Sequence, residues 1–238
     1  MDTNKQGIII QGPTDFHHEE IANFYSQFNN VVWSTWKDEP KKHLDYIRSM
    51  GITLILSYKP DYSGYLNVNL QCKSTLNGIK YFKDRGFSEV IKVRSDVLFW
   101  GIERVLDKLK EKDISFITIH NPKSLPFLAY HLDYYHHGWD FPCDYVIHGN
   151  IDTMYKVFDY YAEQNFPIPP ESILLKNYLT YRNIEPNFNF DHLVKNGIYF
   201  FNQDCVENNA SIILTKKNPR RNLTYDITEL ESHFYIYK

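Results

Sequence analysis

The feature that most constrains this chain is an alternation of two hydrophobic periods over its first 120 residues. Short β-branched runs take turns with segments whose apolar residues recur at helical spacing. "GIIIQG" (7–12) is an apolar run bounded by glycines, the pattern of a buried strand. Residues 16–28 follow with Ile21, Phe24, Tyr25 and Phe28 on one helical face. "NVVWSTW" (30–36) predicts a second strand and 40–50 a helix opened by Pro40. "GITLILS" (51–57) predicts a third strand, and 67–85 a helix stopped by Gly86. "SEVIKVRSD" (88–96) is the fourth strand, 102–109 an amphipathic helix, and "ISFITIH" (114–120) the fifth strand. Strands and helices in this order build βαβ units. The expected fold is α/β: a Rossmann-like, mostly parallel sheet with helices on both faces in a single domain.

Beyond residue 120 the pattern loosens. "NPKSLPFLAYHLDYYHHGWDFP" (121–142) has little periodicity. "CDYVIHG" (143–149) reads as a strand, 151–164 as a helix, and 171–181 as a helix beginning after Pro170. "KKNPRR" (216–221) reads as a solvated basic turn or a flap over phosphates.

Composition narrows the partners. Twenty-six Lys and Arg stand against 29 Asp and Glu, a net charge of −3, which argues against a broad electrostatic footprint for nucleic acid and leaves room for a local basic patch. No apolar run approaches the ~20 residues of a membrane span, so no transmembrane segment is expected. No secretory signal pattern opens the chain. The three cysteines, Cys72, Cys143 and Cys205, form no CxxC pair; a reducing, cytoplasmic setting is expected.

In open α/β sheets ligands bind outside the carboxyl ends of the strands. Three such ends are polar here: Gln11-Gly12-Pro13, Ser34-Thr35 and Arg94-Ser95-Asp96. The first strand is not followed by GxGxxG, and neither a GxxxxGK[ST] nor a GxSxG motif occurs, which disfavours dinucleotide, P-loop and α/β-hydrolase chemistry. On the 67–85 helix, Gln71, Ser74, Thr75 and Gly78 lie beside an apolar stripe of Cys72, Leu76 and Ile79. That edge suits either close helix packing or a ligand. A strand-end carboxylate such as Asp96 is suited to hold a divalent ion against phosphate, or simply to cap a turn. His131, His136 and His137 near Asp133 and Asp140 match no common zinc spacing.

Four blocks taken together, "IIIQGP", "VVWSTW", "NLQCKSTLNGIKY" and "IKVRSDVLFW", resemble the WavE-type lipopolysaccharide-synthesis proteins, which look like glycosyltransferases of the GT-A fold. The blocks cover residues 7–100; "FPCDYVIHG" and "PPESILLKNYL" extend the likeness more loosely. The resemblance implies transfer of a sugar from a nucleotide-sugar donor to a glycan or lipid-linked glycan acceptor. It implies a donor half at 1–120 and an acceptor-binding half at 121–238 of the same domain. Arg94-Ser95-Asp96 falls where such enzymes carry a DxD-like motif, with Arg94 in place of the first acid. Asp96 is then the implied Mn²⁺ or Mg²⁺ ligand, with His192 a second. Gln11, Gly12, Pro13, Ser34, Asn69, Gln71 and Ser74 are implied to line the donor with Arg94 and Ser95, and His148 and Gly149 the acceptor. Glu171 begins a helix as the catalytic acid of the xED motif does, and Asp144 is the other candidate base. Two readings compete: a non-catalytic carbohydrate- or nucleotide-binding protein, and a sugar-phosphate nucleotidyltransferase.

Overall fold

The computed structural model describes residues 6–15, 17–102, 109, 112–118, 144–163, 170–185, 198–202 and 211–214. The elements in chain order are β1 (Gln6–Gln11), α1 (His18–Tyr25), β2 (Val31–Trp36), α2 (Lys41–Ser49) and β3 (Thr53–Ser57). Next come α3 (Val68–Lys83), β4 (Glu89–Arg94), β5 (Val97–Trp100), β6 (Ile114–Thr118) and β7 (Val146–Asn150). The last are α4 (Ile151–Phe158), α5 (Pro170–Tyr181), β8 (Ile198–Asn202) and β9 (Ser211–Leu214). The 119–143 segment with its histidines, His192, the 216–221 turn, Cys143, Cys205 and most of the predicted 102–109 helix lie outside the described residues.

Seven strands form one sheet in the order β3-β2-β1-β4-β7-β6-β8. β1 pairs parallel with β2 and β4, and β2 with β3. β7 alone reverses: it is antiparallel to both β4 and β6, while β6 and β8 are parallel. The fold is therefore a Rossmann-like α/β domain with a mostly parallel sheet.

Side-chain alternation along the strands feeds a core on each face. Ile8, Ile10, Val31, Trp33, Ile91 and Val93 pack on one side with Ile21 and Tyr25 of α1 and Ile47 of α2. Ile9, Val32, Val90 and Ile147 pack on the other with α3, α4 and α5. α3 lies close against β1: a Cβ on Gly78 would stand 2.5 Å from Ile9 Cγ2. The small residues of its edge thus include one that permits close approach.

Two elements depart from expectation. The run after Asp96 forms β5, which pairs antiparallel with β9 in a separate two-stranded sheet. Tyr25 fixes it to α1: its hydroxyl donates to the Val97 carbonyl (3.1 Å) and accepts from the Phe99 amide (3.2 Å). α4 stops at Phe158 rather than 164, because Ala162 is held elsewhere. The Asn69 side chain accepts from the Ala162 amide at 2.7 Å and donates to its carbonyl at 2.8 Å.

Candidate functional site

The polar cluster at the carboxyl ends begins with strand register. Gln11 of β1 is the partner of both Ser34 on β2 and Arg94 on β4. The Ser95 amide donates to the Gln11 carbonyl at 2.8 Å, so the turn after β4 docks on the end of β1. Gly12 permits this: its φ is 127°, and a Cβ there would stand 2.6 Å from Ser95 Oγ. Because β7 runs the opposite way, its beginning reaches the same edge. The Arg94 amide donates to the Tyr145 carbonyl at 3.1 Å, which brings Asp144 alongside.

Four charged side chains interlock there. Arg94 Nε and Nη2 donate to the two oxygens of Asp96 at 2.9 and 2.7 Å. Arg94 Nη1 donates to Asp144 Oδ1 at 3.1 Å, and the guanidinium lies 4.8 Å from the Tyr145 ring centre. Lys92, fully buried, donates to the Asp144 main-chain carbonyl and stands 3.5 Å from Asp144 Oδ2. A buried ion is tolerated only when paired in this way. Burial works to raise the pKa of Asp144, but Lys92 and Arg94 outweigh it and hold the carboxyl below its usual value. Burial also opposes the Arg94 charge, and Asp144 and Asp96 together hold its pKa above the usual value. Burial lowers that of Lys92, with Asp144 opposing.

Glu171, in the first turn of α5, feels the charges of this cluster from the helical side. Burial, then the Asp144 charge, pushes its carboxyl from 4.5 up to about 7, against the pull of Arg94 and Lys92. Two carboxyls in one cluster thus have opposite tendencies: Asp144 stays ionised, while Glu171 exchanges a proton near neutrality.

The loops after β1 and β2 are tied together beside this edge. The Thr14 amide and hydroxyl both donate to Glu39 Oε2, at 2.9 and 2.5 Å. With its proton committed to Glu39, the Thr14 hydroxyl accepts from His43 Nδ1 at 3.0 Å. The His43 ring stacks on His18, centres 3.8 Å apart.

The structure brings together Gln11, Gly12, Pro13, Arg94, Ser95, Asp96 and Asp144, with Glu171 close enough to feel their charge. Others have their polar atoms engaged within the fold. Ser34 Oγ donates to the Ser74 carbonyl (2.6 Å) and Ser74 Oγ to the Leu70 carbonyl (2.7 Å), both buried. Asn69 uses its amide on Tyr62 and Ala162. These three find their partners in main-chain groups, as buried polar side chains do. Gln71 donates to the Leu66 carbonyl at 3.3 Å. His148 and Gly149 are corrected more sharply. β7 is antiparallel, so each residue after Asp144 moves by about 3.4 Å away from the crevice. His148 is the register partner of Ile91, and its Nε2 stands 3.5 Å from Glu89 Oε2 at the amino end of β4. Gly149 packs against Met154 and the Asp113 carbonyl. Lys92 went unnoticed in the sequence; its signal was a lysine inside the run Val90-Ile91-Val93.

A divalent ion on Asp96 does not fit the described donor set. Both Asp96 oxygens are engaged by Arg94, the residue is 4% exposed, and no three His, Cys, Asp or Glu side chains among the described residues converge to hold a metal. No helix among the described residues is long and apolar enough to cross a membrane.

No family model matches the chain, and no curated protein matches it. Solved structures do. HddC from Yersinia pseudotuberculosis, in complex with GMP-PN, aligns with a TM-score of 0.51 at 10% identity, covering 96% of this chain and 99% of that one. The 4-diphosphocytidyl-2C-methyl-D-erythritol synthase from Anaerococcus prevotii aligns at 0.50 and 12% identity, covering 84% and 90%. A cytidylyltransferase from Leptospira borgpetersenii gives 0.47 at 10% identity, covering 84% and 77%. At such identities the first two likenesses bear on the fold class alone, the Rossmann-like α/β domain described above.

Proposed function

We propose that the chain is a transferase of nucleotide-sugar chemistry that moves a sugar from a nucleoside-diphosphate sugar to a hydroxyl of a glycan or lipid-linked glycan. The observation that carries this reading is Glu171, a carboxyl raised to about 7 beside Arg94 and the ionised Asp144. Sugar transfer to a hydroxyl calls for such a base. The acceptor O–H proton passes to Glu171, the acceptor oxygen bonds to the anomeric carbon, and the bond from that carbon to the diphosphate oxygen breaks. The electron pair leaves with the nucleoside diphosphate, whose charge Arg94 is placed to meet. The resemblance to WavE-type proteins supports a surface polysaccharide as the product's destination.

A second reading has its own support. HddC was solved with GMP-PN and the Anaerococcus enzyme is named as a diphosphocytidyl synthase, so the fold likenesses favour nucleotidyl transfer to a sugar phosphate over sugar transfer. In that reaction a phosphate oxygen attacks the α-phosphorus of a nucleoside triphosphate and pyrophosphate leaves; the nucleophile is already ionised, and Glu171 has no proton to take. A panel of nucleotide sugars assayed for donor hydrolysis, run beside nucleoside triphosphates with sugar 1-phosphates assayed for pyrophosphate, separates the two. Nucleoside diphosphate release that falls in Glu171→Gln supports sugar transfer. Release retained in Glu171→Gln moves the base to Asp144. Pyrophosphate release alone establishes the second reading, and binding without either product leaves a non-catalytic nucleotide-binding protein.

A further inference from the structure

The divalent ion implied at Asp96 meets a competitor already in place. Asp96 receives Arg94 through both oxygens, and Asp144 receives it through one while the other faces Lys92 at 3.5 Å. An ion could take Asp96 only by displacing the guanidinium, and would then sit near two cations with no third ligand group converging among the described residues. The guanidinium itself is incompletely used. It has five N–H donors, and three are engaged by the carboxylates. Its side chain is 30% exposed, whereas those of Asp96 and Asp144 are 6% and 2%. The carboxylates therefore hold the inner edge of Arg94 and leave the remaining donors toward the open side. Lys92 beneath offsets Asp144, so the Arg94–Asp96 pair acts as an oriented dipole with its positive edge outward. A guanidinium offered as a fixed fork is suited to phosphate oxygens.

Resting on the nucleotide reading above, we propose that Arg94 takes the place of the divalent ion at the diphosphate, and that Asp96 is the positioning residue that holds Arg94 rather than a metal ligand. Calorimetric titration of the full chain with UDP, GDP and dTDP, in EDTA and in Mn²⁺, tests this. The Kd of the tightest binder is expected to differ by less than threefold between the two buffers. Arg94→Lys keeps the charge without the fork and is expected to weaken binding at least tenfold in both. Asp96→Asn is expected to weaken binding by the same factor in both. A Kd that rises more than threefold in EDTA, or an Asp96→Asn defect confined to the Mn²⁺ buffer, overturns the assignment while leaving the nucleotide reading standing. Failure of all three nucleotides to bind in either buffer removes the nucleotide reading and this inference with it.

Discussion

Glu171 holds its proton through a pH range in which an ordinary glutamate has lost it, and two consequences follow from that one residue. As a base it works only when ionised, so turnover is expected to rise with pH and level off above about 7. Glu171→Gln should abolish that limb and lower turnover by roughly 10²–10⁴-fold, the usual contribution of a positioned base; an unchanged pH profile in the variant would sink the assignment. The second consequence concerns stability. The folded-state pKa is raised, so between 4.5 and about 7 the folded chain binds more protons than the unfolded one. The stabilisation is complete below 4.5 and is lost as pH rises through about 7. The melting temperature of Glu171→Gln relative to the parent should therefore be higher at pH 8 than at pH 5; equal differences at both would contradict the linkage. Arg94, Asp96, Asp144 and Glu171 were all legible as residues from the sequence. Their mutual geometry was not, because Asp144 reaches Arg94 across 50 residues of chain and nothing local encodes that meeting.

At the scale of elements, the ends of β1 and β4 and the start of β7 carry the site, and α3 packs against the sheet beside them. Asn69 joins the start of α3 to the chain beyond α4 through two hydrogen bonds to Ala162, and donates a third to the Tyr62 carbonyl ahead of the helix. Asn69→Ala leaves buried main-chain groups of Ala162 without their partner and is expected to cost about 1–3 kcal/mol in denaturant unfolding. Gly12→Ala strains a φ of 127° and drives a methyl onto Ser95 Oγ, parting the end of β1 from the Arg94-Ser95-Asp96 turn. Nucleoside diphosphate affinity should fall in that variant even where circular dichroism shows the fold retained; unaltered affinity would detach the turn from the site. Hydrophobic period predicted most strands and helices, since it reports burial directly. It says nothing of what Asn69, Ser34 and Ser74 bond, and their partners turn out to be main-chain groups. Period and composition do not distinguish a polar side chain facing solvent from one closing a buried main-chain gap.

The described residues build on a seven-stranded sheet with a core on either face, and strands β1, β2 and β4 contribute to both. Neither core can melt without loosening the other, so unfolding is expected as a single transition. Far-ultraviolet circular dichroism and the fluorescence of buried Trp33 and Trp36 should trace the same midpoint; separated midpoints would mean two independent units. The α/β class was readable because alternating periods leave few other architectures. The reversal of β7 was not, because the residue pattern of a five-residue strand carries no direction. That reversal has a consequence for how such a chain can change over generations. Asp144 is anchored by Lys92 and Arg94 of β4 just ahead of its own strand. A substitution at Lys92 or Arg94 is then one that Asp144 must answer, and the reverse holds too. The three positions are expected to change together in related chains or not at all.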